Sequence, residues 1–206
     1  MRARDVMTSP VITVGTATTA KEAAEILSSR GFTALPVVDD DDRLIGIVTE
    51  ADLIRDRVPA DPRHRRDAEY RARREDPGST VGALMTSPAT GMSPGTDVAD
   101  LTRALVESGI RAMPVVDGAR VIGIVTRGDI VRVLARDDHA ILNDVRHHLE
   151  IYGGADRWTV EVADGVVRVV DAYDDETDRH VATLLAQAVP GVVDARVVSE
   201  HEGSTR

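Results

Sequence analysis

Two short stretches of the 206-residue chain place a carboxylate three residues after a hydroxyl: Thr49 with Asp52, and Thr126 with Asp129. At the start of a helix such a pair has two possible uses. It can cap the helix, because Thr and Asp side chains accept from first-turn N–H groups. It can also face outward and meet the polar groups of a ligand. Other chemistry has little to stand on. The chain has no Cys, so thiolate catalysis, disulfides and Cys-ligated zinc are excluded. Adjacent His147 and His148 point to different helix faces, whereas a zinc pair wants i, i+4. His64 has no partner His at ligand spacing. There is no Gly-x4-Gly-Lys phosphate loop, and no His lies near either Thr-x-x-Asp. Catalysis is therefore not expected, and neither is a metal site.

Composition narrows the partners. Hydrophobic residues are 42% of the chain and charged residues 29%, an ordinary globular balance. Aromatics are only 2%, so the cores must be aliphatic and base stacking on rings is poorly served. A formal net charge of −10 disfavours nucleic acid and anionic membrane alike. The sequence holds no 18-residue apolar run and no secretory-type apolar core near Met1, so a cytoplasmic location is the expectation.

The elements that must position the two pairs come as a repeat. Met7-Thr8-Ser9-Pro10 recurs as Met85-Thr86-Ser87-Pro88, Leu35-Pro36-Val37-Val38-Asp39 as Met113-Pro114-Val115-Val116-Asp117, and Gly46-Ile47-Val48-Thr49 as Gly123-Ile124-Val125-Thr126. The offset drops from 78 to 77 within Asp39–Asp42, which suits a loop. In each unit, helical spacing (Ala20, Ala23, Ala24, Leu27) ends at Gly31. A β-branched strand at 36–38 and another at 44–48 follow. The four-Asp run between them reads as a solvated hairpin turn. A second helix begins near Asp52. One such unit buries too little alone, so two must pack together.

These blocks resemble a tandem pair of cystathionine β-synthase (CBS) domains, a Bateman module, over residues 2–136. The resemblance implies an α/β (α+β) fold of two β-α-β-β-α units, at 2–56 and 80–136, joined by a linker at 57–79. It implies a cleft for an adenosine compound (AMP, ADP, ATP or S-adenosylmethionine) and regulation of a partner protein. A homodimer is the usual assembly. By family position the cleft residues are Thr18, Ala34, Leu35, Pro36, Thr49 and Asp52 in the first unit, with Thr96, Ala112, Met113, Pro114, Thr126 and Asp129 in the second; Thr18 and Thr96 are each expected to open the first helix of their unit. An Asp at a helix start can take two ribose hydroxyls, and the Thr with first-turn N–H groups can meet phosphate. Apolar strand residues give adenine a dry slot. Some members of the family, such as the γ subunit of AMP-activated kinase, place a basic residue three before the strand Pro. Here Arg111 holds that place in repeat 2 and Thr33 in repeat 1, while Arg127 replaces Glu50, so unequal sites are expected, with phosphate favouring Arg111 and Arg127. The alternative is a dimerisation or assembly module with no ligand.

Residues 55–78 carry Arg55, Arg57, Arg63, Arg65, Arg66, Arg71, Arg73 and Arg74, nearly balanced by nearby acids, and read as a solvated connector. Beyond it, Ile141, Leu142, Val145 and Leu149 lie at helical spacing, Trp158–Val162 alternates like a strand, and Asp164-Gly165 signals a hairpin to Val166–Val170. A helix at Thr177–Val189, with Val181, Leu184 and Leu185 inward, precedes Pro190-Gly191 and a last strand. This α-β-β-α-β order at 139–200 resembles a BON domain, with a tail at 201–206. It departs from that pattern where Asp171 replaces a Gly. BON domains imply phospholipid or protein association. Residues 139–206 hold thirteen acids against six Arg, a net of −7, which favours a protein partner.

Overall fold

The computed structural model describes residues 1–55, 79–173 and 175–200. Most of the Arg-rich linker and the whole tail lie outside these residues. Two compact units emerge: Met7–Arg127, and Met1–Val6 together with Gly128–Arg206.

In the unit Met7–Arg127, repeat 1 supplies β1 (Val14–Gly15), α2 (Ala20–Arg30), β2 (Ala34–Val38), β3 (Leu44–Thr49) and α3 (Glu50–Ile54), after a short α1 (Ala3–Val6) that belongs to the other unit. Repeat 2 supplies α4 (Val81–Leu84), α5 (Val98–Glu107), β4 (Ala112–Asp117) and β5 (Arg120–Thr126). Helix α2 starts where Thr19 N–H donates to Glu22 at 2.9 Å and Glu22 N–H donates to Thr19 Oγ1 at 3.2 Å, a reciprocal cap. Its stripe of Ala20, Ala23 and Leu27 is buried, while Ala24 faces out. It closes at Gly31, whose φ of 66° only a residue without Cβ takes freely. Strand β2 is buried at all five positions, which is why its sequence is apolar without alternation. It lies between parallel β1 and antiparallel β3. The turn after β2 is held by Asp39, whose carboxylate accepts from Asp41 and Arg43 N–H groups.

The two repeats exchange their lead segments. Thr8 bridges Ile124 of repeat 2, and Thr86 bridges Ile47 of repeat 1. Ser9 and Ser87 donate their hydroxyls to Ile122 O and Ile45 O. At the hairpin tips Arg43 bridges Arg120.

The unit ending at Arg206 carries α6 (Arg127–Leu134) from Gly128 onward, then α7 (Asp138–Gly153), β6 (Trp158–Ala163), β7 (Val166–Asp171), α8 (Glu176–Gln187) and β8 (Asp194–Ser199). The expected α-β-β-α-β order is present, with sheet order β6-β7-β8. Ile141, Val145 and Leu149 form the buried stripe of α7 against Val160, Val167, Val169 and Ala195. The 164–165 turn has φ of 51° and 74°, and both its N–H groups donate to the Asp138 carboxylate at the start of α7. One inward assignment needs correction. Leu184 is 53% exposed, and Ala182 and Ala186 face the core instead. Small residues let α8 lie close to the sheet, and Leu184 falls off that stripe.

Candidate functional site

The strand register assembles the candidate groups in the same way in each repeat. Ala34 pairs with Thr49, and Ala112 pairs with Thr126. Each apolar strand start therefore lies beside the hydroxyl that opens the next helix. Ala34 and Ala112 meet in one apolar cluster with Ile124, flanked by Val11 and Ile47. Leu35, Pro36, Met113 and Pro114 are buried as well.

Asp52 accepts from Thr49 N–H at 2.9 Å and Thr49 Oγ1 at 2.7 Å, and its other oxygen lies 3.7 Å from Arg55. Its side chain is 11% exposed. Asp129, which falls in the other unit, is 4% exposed at its side chain and accepts from Arg132 Nη1 at 2.7 Å. Neither acid is turned out to solvent, and both have work within their own helix.

Three placements differ from expectation. Thr18 and Thr96 do not open the first helices; Thr19 and Asp97 are the caps, each one residue further on. The reason is that the side chains of Thr19 and Asp97 reach the N–H groups of Glu22 and Ala99. Thr18 instead lines an open depression of about 840 Å³ with Thr13, Glu22, Glu25, Ile26 and Arg30. The guanidinium of Arg127 donates to Leu105 O at 2.6 and 3.1 Å, binding the last turn of α5. Arg111 is exposed just before β4. Among the described residues no group of three or more His, Asp or Glu is placed to hold a metal. No helix among them is long and apolar enough to cross a membrane.

The CBS domain model matches residues 3–58 and 81–136, more than half the chain. The chain belongs to the CBS domain family. It is 30% identical over 145 residues to Hypoxic response protein 1 of Mycobacterium tuberculosis, covering 70% of this chain and 91% of that one. It spans only 43% of the length of another curated relative, from Methanocaldococcus jannaschii. The CBS domain pair of MJ0100, solved with 5′-methylthioadenosine and S-adenosyl-L-methionine, is similar at 28% identity and TM-score 0.52 over 65% of this chain and 94% of that one. CBSX2 of Arabidopsis thaliana, solved with AMP, is similar at 33% identity and TM-score 0.52 over 64% and 93%.

Sequence reasoning missed the exchange of lead segments. The one available signal was that Met-Thr-Ser-Pro is identical in both repeats although no chemistry needs it.

Proposed function

We propose that this CBS pair is a non-catalytic sensor that binds an adenosine-containing ligand, such as AMP, ADP, ATP or S-adenosylmethionine, and passes its state to a partner protein. The observation that carries this reading is the register that sets Ala34 beside Thr49 and Ala112 beside Thr126, with both alanines in one apolar cluster. Such a patch offers adenine a desolvated wall, with a hydroxyl and a carboxylate within one helical turn for the sugar. The relatives solved with AMP and with S-adenosylmethionine support the ligand class. Arg111, exposed just before β4, is the cation placed for phosphate in repeat 2; Arg127 must first leave Leu105 O.

The ligand acts by differential affinity for two packings of the repeats. The unit holding 139–200, BON-like in element order, acts as an association surface for a protein partner, in keeping with its acidity. The working assembly is a homodimer in the cytoplasm.

Thermal melts with AMP, ATP and S-adenosylmethionine test the proposal. A ligand at 100 times its Kd adds about 2.7 kcal/mol. Asp52→Ala is expected to reduce that shift. No shift with any adenosine compound would overturn the sensor reading. A ligand-free assembly module would then stand, and one observation favours it: Asp52 already spends one oxygen on Thr49.

A further inference from the structure

The geometry points to Met7 and Met85 as a pair of peroxide-oxidisable sites that clamp one repeat to the other. Glycine leaves a notch in the return strand of each repeat's hairpin, at Gly46 in β3 and Gly123 in β5. The sulfur of Met85 fills the notch at Gly46, and that of Met7 fills the notch at Gly123. In both places a Cβ on the glycine would collide with Sδ, and with Cγ at 3.2 and 3.0 Å. The sulfurs therefore rest directly on the backbone of the opposite repeat. The strand-to-strand bonds lie one residue away: Thr8 and Ile124 exchange N–H···O bonds of 2.9 and 3.2 Å, and Thr86 and Ile47 exchange bonds of 2.9 and 3.0 Å.

The chain has no Cys, so its five methionines are its only sulfur. Met113 is 3% exposed, whereas Met7 and Met85, like Met1 and Met92, are half-buried. Hydrogen peroxide oxidises a thioether by two electrons. The sulfur lone pair attacks one peroxide oxygen, the O–O bond breaks, an S–O bond forms, and the second oxygen leaves as water. The new oxygen is a hydrogen-bond acceptor. The polar atoms nearest the notches are Thr86 O at 3.1 Å and Thr8 O at 3.2 Å from the glycine Cβ positions, and these are acceptors already bonded to Ile47 and Ile124 N–H. A sulfoxide there meets acceptor against acceptor, and its bulk lifts the lead segment from the strand. Because the same contact occurs twice with the repeats exchanged, oxidation loosens both sides of the pair.

The test uses the full chain treated with hydrogen peroxide and followed by peptide mass mapping and thermal melting. Met7 and Met85 are expected to gain one oxygen each, and the melting midpoint to fall by about 2–8 °C. Treatment with both classes of methionine sulfoxide reductase should restore it. Met7→Leu/Met85→Leu keeps the apolar volume and should hold its midpoint under the same peroxide. Each single variant should lose part of the fall, which keeps the test usable if the double variant folds poorly. The inference is overturned if Met7 and Met85 stay unoxidised while Met1 or Met92 reacts. It is also overturned if both oxidise without moving the midpoint, or if the double variant falls as far as the parent chain.

Discussion

Arg157 is heavily engaged in the unit that ends at Arg206. It forms two bonds to Asp171, at 2.7 and 2.9 Å, and one to Asp178 at 2.6 Å, and its guanidinium lies 4.4 Å from the Trp158 ring centre. The Asp171 hydrogen bonds raise its pKa, so it remains a cation throughout. At Asp171, the departure noted in the sequence, the fully buried carboxylate is matched by a cation just before β6. The sequence shows the departure but not its partner, because residues 157 and 171 meet only through the β6–β7 register. Asp171→Ala leaves Arg157 half stranded and should cost about 3–5 kcal/mol in urea denaturation. Gly153 is the other exacting position. A Cβ there would fall 2.6 Å from Trp158 Nε1, a buried N–H that finds no acceptor among the described residues. Gly153→Ala should lose about 1–3 kcal/mol by the same measurement.

At the scale of elements, Tyr152 at the end of α7, Arg157 before β6 and Asp178 in the first turn of α8 form a joint. The Tyr152 hydroxyl donates to Asp178 at 2.7 Å, which together with Arg157 holds the Asp178 carboxyl below its ordinary pKa. The sign follows from that. With the folded pKa below the unfolded one, the unfolded chain takes up protons first as pH falls. The joint's contribution is therefore complete above the ordinary carboxyl range, near 3.8, and is lost as pH drops through the lowered value. Asp178→Asn should flatten the acid limb of a plot of melting midpoint against pH. Local punctuation was legible in sequence where the signal lay in the chain itself, as at the helix end Gly31 and the hairpin turn Asp164-Gly165. The Thr18 and Thr96 assignments missed by one residue because adjacent Thr-Thr and Thr-Asp pairs both offer a capping oxygen, and only the backbone angle selects one. The inward face of α8 was misread at Leu184 because size, not hydrophobicity alone, decides which stripe can approach a sheet.

On the scale of the whole chain, the duplication was plain from identical blocks, and with it the α+β repeat architecture. The candidate site was legible as a set of types and spacings. The pairing of Ala34 with Thr49 and of Ala112 with Thr126 gives those spacings a shared geometry. The exchange of lead segments was not legible, because a four-residue motif carries no mark of the strand it will join. A fragment covering residues 1–55 loses the strand partner of Thr8 and the Met85 filling of Gly46. It is expected to show no cooperative melt by circular dichroism. Gly123→Ala in the full chain should displace Met7 and lower stability by about 1–3 kcal/mol.

The reciprocal seating of Met7 on Gly123 and Met85 on Gly46 has a historical consequence. Two identical single-repeat chains could make both contacts about one two-fold axis, each giving its leader to the other, as isologous partners do. A gene fusion would then have joined an ancestral dimer without inventing a new interface. Separately expressed halves of the present protein should still find each other in solution and rebuild the pair.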